Sequence, residues 1–271
     1  MKRPEVTLPN YQAVYDWYQS YRQPRPVTKL AYAALNRRYN PNIHFAEGVH
    51  DEFSDLRRTK TPQIFVFNHL TNHSDQFVAS AVAHQIVPED VGRTRVLAKD
   101  ELFHGAQRHF VDLMGAIPTF RKKDHVGTAD KKALSQEVLD QLLTEQAELV
   151  DQANEAMFVA TGTIVANGEN MAVFGEGTHN KVDPAVLQKL RPGFARIALH
   201  AYARGTDIAV TPIGMSFGHS LDSLNPRQAT IVVAPSIYVT AADTPETLVD
   251  ATHGSLQVAV TQANNIHTRA V

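Results

Sequence analysis

The 271-residue chain has no cysteine. That excludes disulfides, thiolate zinc sites and cysteine nucleophiles, so any chemistry must come from histidine, carboxylates, hydroxyls or a cosubstrate. No run approaches the roughly 20 apolar residues that span a bilayer, and the start, MKRPEVTLPNYQ, lacks the apolar stretch of a secretion signal. The expected location is therefore cytoplasmic. A formal net charge of -2 gives no general attraction to nucleic acid, and no basic, aromatic RNA-binding motif is present. Hydrophobic residues at 43% and charged residues at 20% are those of a folded globular protein, which argues against disorder.

Charge is unevenly spread. Residues 1–40 carry seven Lys or Arg against two acids, and Tyr11, Val14, Tyr15, Tyr18 and Tyr21 recur at helical spacing. Such a helix either packs its aromatic stripe on the rest of the protein, the simpler reading, or meets an anionic membrane surface at the cytoplasmic face. A second helix is expected over PRPVTKLAYAALNRRYNP, giving a small helical N-terminal region, residues 1–58.

From residue 59 to 271 strand-length apolar runs alternate with helical patterns. TPQIFVFNH, TRVLAKD, NMAVFGEG, DIAVTPIGM and ATIVVAPSIYV read as strands. DQFVASAVAHQIV, with Asp75 as its N-cap, the stretch near ELFHGAQRHFVDLM, and Lys131 to about Ala166 read as helices. After Thr240 a loop and a final helix are expected. The fold class is α/β, a mostly parallel sheet covered by helices, in which ligands gather beyond the carboxyl ends of strands.

Three polar clusters lie just beyond strand candidates. NHLTNHSD brings His69 and His73 near Asp75, the pairing in which a carboxylate fixes an imidazole tautomer while the other ring nitrogen removes a proton; a helix cap with a polar loop would have the same residues. GAIPTFRKKD gathers Arg121, Lys122 and Lys123, able to pair with phosphate or to form a solvated basic turn. FGEGTHN sets Glu176 between glycines, followed by Thr178 and His179, where backbone amides could approach an anion. A metal-dependent hydrolase using His69, His73 and Asp75 and a non-catalytic lipid- or phosphate-binding module are the competing readings.

In this order the clusters resemble the blocks of the glycerolipid acyltransferase family, which includes the glycerol-3-phosphate and lysophosphatidate acyltransferases. KDEL at Lys99 to Leu102 and VTPIGM complete the pattern, so the likeness runs from about residue 62 to 240. The chain departs from it in two places. Five residues, not four, separate His69 from Asp75, and Gly175 and His179 stand where proline and arginine are usual. The resemblance implies transfer of a fatty acyl group from a coenzyme A or acyl carrier protein thioester, as cosubstrate, to a hydroxyl of a phosphorylated glycerol acceptor in phospholipid synthesis. It implies no metal and no other cofactor. In that reading His69 is the base and Asp75 orients it, with the extra residue absorbed in a bulge of the loop. Arg121 and Lys122 hold the acceptor phosphate, Glu176, Gly177, Thr178 and His179 shape the substrate site, and His73 lines the pocket or caps the loop.

Overall fold

The computed structural model describes residues 2–125 and 136–270. In chain order these form α1 (Tyr11–Ser20), α2 (Arg25–Tyr39), β1 (Asn42–Phe45), α3 (Val49–Thr59), β2 (Gln63–Phe67), α4 (Asp75–Ile86), β3 (Thr94–Lys99), α5 (Gln107–Leu113), β4 (Ala116–Thr119), α6 (Lys122–His125), α7 (Gln136–Ala166), β5 (Asn170–Phe174), α8 (Gly193–Tyr202), β6 (Ala209–Ser216), β7 (Thr230–Val233), β8 (Ile237–Tyr238) and α9 (Pro245–Ala270), with short 3-10 turns between some of them. The expected helix from Lys131 begins, among the described residues, at Gln136; its first residues lie outside them.

The sheet runs β1-β7-β6-β2-β5-β3-β4, with β8 added on β6. β6, β2, β5, β3 and β4 are mutually parallel, while β7 runs antiparallel to β6 and carries β1 parallel to itself. Strands covered on both faces need apolar side chains at every position rather than at alternate ones. QIFVF of β2 and AVTPIGMS of β6 are buried throughout. One apolar core lies between the sheet and α1, α7, α8 and α9, and a second between the sheet and α2, α3 and α4. Gly214 lets α9 lie directly on β6, since a Cβ there would run into the backbone of Ala259 and Val260.

The N-terminal stretch is mostly helical, but it also contributes β1, so the residues 1–58 read as a helical region include an edge strand of the sheet. The aromatic stripe of α1 faces inward. Val14, Tyr15 and Tyr18 are fully buried, Tyr18 donates to Asp112 at 2.7 Å, and Tyr15 donates to the carbonyl of Pro118 at 3.1 Å. Burial pushes the Tyr15 and Tyr18 hydroxyls far above the ordinary tyrosine range, which keeps both as neutral donors. α1 is therefore held by its aromatic face, and that face is not offered to a membrane.

Candidate active site

Because β6, β2, β5, β3 and β4 are parallel, their carboxyl ends share one edge, and the three polar clusters lie along it. His69 stands two residues beyond β2, Glu176 two beyond β5 and Arg121 two beyond β4. β2 and β5 are neighbours, whereas β4 is three strand positions from β2, about 14 Å at the usual ~4.8 Å spacing.

The loop after β2 folds around the Asp75 carboxylate. Asp75 is fully buried and accepts from Leu70 N–H at 2.5 Å, from Thr71 N–H at 3.0 Å and from the Thr71 hydroxyl at 2.5 Å. The same carboxylate meets Nδ1 of His69 at 2.8 Å. An ionised carboxylate only accepts, so Nδ1 carries the proton and Nε2 is left as the basic nitrogen. The bulge expected from the extra residue is thus a turn that closes on the carboxylate. Asp75 is not the N-cap expected from the sequence. Ser74 holds that position without a side-chain cap, and Asp75 opens α4 with its carboxylate turned back onto the loop, where the positive end of the helix also favours its charge.

His69 itself is fixed from several sides. Its ring stacks on Phe174 at 4.8 Å, and its carbonyl accepts from Asn180 N–H at 2.7 Å. Its N–H donates to Glu176 at 2.8 Å. The other Glu176 oxygen accepts from Gln188 N–H at 3.0 Å, so the carboxylate expected to border the substrate is buried and engaged with two backbone amides. Burial raises the Glu176 carboxyl above its ordinary value, opposed by those two hydrogen bonds. Just before the histidine, Asn68 exchanges two hydrogen bonds with the backbone of Met215, at 3.0 and 2.7 Å, which joins the ends of β2 and β6.

Gly177 takes a positive φ of 68° in the turn after β5, a conformation open to glycine. It and Thr178 are exposed, and His179 is half-buried with its ring edge-on to His69 at 6.1 Å. Partial burial, then Lys181 and His69, lower the His179 pKa, so its ring is neutral at neutral pH. His73 is exposed, and its carbonyl accepts from Gln76. Among the described residues no group of three or more His, Cys, Asp or Glu side chains is placed to hold a metal ion, the trio His69, His73 and Asp75 included.

Arg121 follows β4, three strand positions from the β2 that leads into His69. Its guanidinium pairs with Asp124 one turn on, and exposed Lys122 pairs with Asp151 of α7 at 2.7 Å. An anion bound here would take Arg121 from Asp124.

Sequence reasoning assigned no role to Asn68, Asn180, Phe174 or Gln188, all of which position His69 or its neighbours. Asn68, Phe174 and Asn180 stand inside the quoted clusters, but the contacts by which they fix this site, to Met215 or to His69, span more than 100 positions and no local pattern marks them.

Residues 48–216 match the acyltransferase family. No curated protein matches the chain. Among solved structures, the crystal structure of the 1-acyl-sn-glycerophosphate (LPA) acyltransferase PlsC from Thermotoga maritima is similar at 12% identity, over 95% of this chain and 95% of that one, with a TM-score of 0.53. At that identity the likeness establishes a shared fold.

Proposed function

Because the chain belongs to the acyltransferase family, we propose that it moves a fatty acyl group from a coenzyme A or acyl carrier protein thioester to a hydroxyl of glycerol-3-phosphate, lysophosphatidate or a related acceptor. The observation that carries this reading is the His69 to Asp75 hydrogen bond of 2.8 Å at the carboxyl end of β2. Nε2 of His69 takes the acceptor's hydroxyl proton as its oxygen attacks the thioester carbonyl. The tetrahedral adduct then collapses, the carbon–sulfur bond breaks, and the thiolate leaves with the proton returned from Nε2. No acyl-enzyme forms. The buried Asp75 charge stabilises the transient imidazolium and keeps the ring in the productive tautomer.

General-base assistance accounts for about 10² to 10⁴ in rate, so holding the two substrates in line must supply much of the rest. Arg121, released from Asp124, and Lys122 would attract the acceptor's phosphate, with the distance between β2 and β4 bridged by the acceptor and the long arginine side chain. Gly177, Thr178 and His179 border the same edge.

The test is a panel of glycerol-3-phosphate, lysophosphatidate and other lysolipids with long-chain acyl-CoA and with acyl carrier protein donors, following thiol release and identifying product by mass. Acyl transfer to at least one phosphorylated acceptor is expected. Binding of acceptor without thiol release from any donor would make the protein a binding module.

A further inference from the structure

The segment after Glu176 presents apolar side chains to solvent while side-chain hydrogen bonds from Asn180 and Gln257 tie its backbone. Val182 is 85% exposed, the highest among the large hydrophobic residues described, and Val186 is 56% exposed. Buried Asn180 secures the turn between them: its side chain accepts from Val182 N–H at 2.9 Å and Asp183 N–H at 3.2 Å, and donates to the carbonyls of Asp183 at 2.6 Å and Val186 at 2.7 Å. Gln257 of α9 ties down the far side, accepting from Leu187 N–H at 2.8 Å and donating to Ala185 carbonyl at 3.1 Å. The valines are thus exposed by a fixed scaffold. Around them stand exposed Lys181, Lys189 and Arg191 against one carboxylate, Asp183.

We infer that residues 180–191 are a docking surface for an anionic lipid bilayer, with Val182 and Val186 entering the interface and the lysines and arginine meeting lipid phosphates. Three features favour this occupant. Exposed apolar side chains on a held loop mark an interaction site. Entry into a poorly hydrated interface is costly for unpaired backbone groups, and the Asn180 side chain pairs four of those in the turn. A lone protruding turn offers little of the roughly 800 Å² per partner that a stable protein contact uses, whereas headgroups close around it without a matching surface.

The position gives the docking its meaning, which rests on the acyl-transfer reading. Asn180, at the start of the segment, bonds the carbonyl of His69. A bilayer seated on the loop would lie beside the histidine, where a lipid hydroxyl could reach it without leaving the membrane. The stripe of α1 cannot do this work, being buried.

Flotation of the full chain with phosphatidylcholine vesicles, with and without phosphatidylglycerol, tests the inference. No acyl donor or acceptor is present, so its outcome is independent of whether acyl transfer occurs. The wild type should float with the anionic vesicles at low salt and dissociate as salt rises. Val182→Ser/Val186→Ser and Lys181→Gln/Lys189→Gln should each weaken partitioning by roughly tenfold or more, with unchanged thermal unfolding. Failure of the wild type to float would overturn the inference. So would wild-type flotation by both variants, with loss instead in Val27→Ser/Leu30→Ser on α2, whose side chains are also exposed.

Discussion

The backbone N–H of His69 donates to Glu176 at 2.8 Å, a hydrogen bond between residues 107 positions apart. It joins the loop after β2 to the loop after β5, and through Gln188 to the segment beyond. In the proposed reaction Glu176 would act through the position of the histidine. An amide has one acceptor oxygen, so Glu176→Gln leaves one of the two backbone N–H groups facing an NH₂ donor. Losing a charged hydrogen bond is worth ~1.5–3 kcal/mol, and kcat should fall about tenfold or more on that basis while donor KM stays near wild type. Steady-state kinetics check this. A rise in acceptor KM with kcat unchanged would make Glu176 a substrate ligand instead.

The same carboxylate leaves a mark on stability. Burial raises the Glu176 pKa in the folded protein above the ordinary value. A group raised in this way contributes stability that is present below its unfolded pKa and lost as pH rises through its folded pKa. Glu176→Gln does not titrate. Urea unfolding of the two proteins should show the wild type losing stability relative to the variant as pH rises through the window above about 4.3, the unperturbed glutamate value.

His179 stands edge-on to His69 and is neutral at neutral pH because burial and the neighbouring Lys181 and His69 disfavour its charge. A permanent cation there should strengthen binding of anionic acceptors. His179→Arg is expected to lower KM for a phosphorylated acceptor several-fold relative to a neutral one. In the wild type the advantage of the phosphorylated acceptor should grow as pH falls below about 6.5, the ordinary imidazole value, and the arginine variant should lack that imidazole-dependent part. Acceptor KM measured for both proteins across this range reads the difference.

Arg121 and Asp124 should act in opposite directions. Removing the guanidinium in Arg121→Ala loses charge-assisted bonds to phosphate and should raise acceptor KM about tenfold or more, with donor KM little altered. Asp124→Asn frees Arg121 from its partner. The pair is partly exposed, so the gain is modest, a few-fold lower acceptor KM. Equal effects of Arg121→Ala on donor and acceptor would contradict the phosphate role.

Much of this was legible in the sequence because burial on both faces writes continuous apolar runs. β2, β5, β6 and β7 are read directly from QIFVF, NMAVF, AVTPIGMS and TIVV. The two edge strands were not legible. NIHF of β1 is short and only partly buried, and β4 carries Pro118, tolerated because β4 ends the sheet; its residues read as part of a basic turn. His69 and Asp75 were named because NHLTNHSD resembles the family's first block, and a carboxylate that also collects the amides of Leu70 and Thr71 explains how six positions of sequence close to 2.8 Å. Glu176 was named but its work was not. Residue type announces a carboxylate, but only the fold brings the His69 and Gln188 amides to it.

The most direct test of His69 as base and Asp75 as its orienting partner is a comparison of acyl-transfer kcat in His69→Ala, Asp75→Asn and His73→Ala. His69→Ala should lose roughly 10² to 10⁴ of the rate with donor binding retained. Asp75→Asn should fall close to it, since an amide neither stabilises the imidazolium nor enforces the tautomer. His73→Ala, altering an exposed side chain, should keep near-wild-type turnover. Activity that survives in His69→Ala and disappears in His73→Ala would contradict the account.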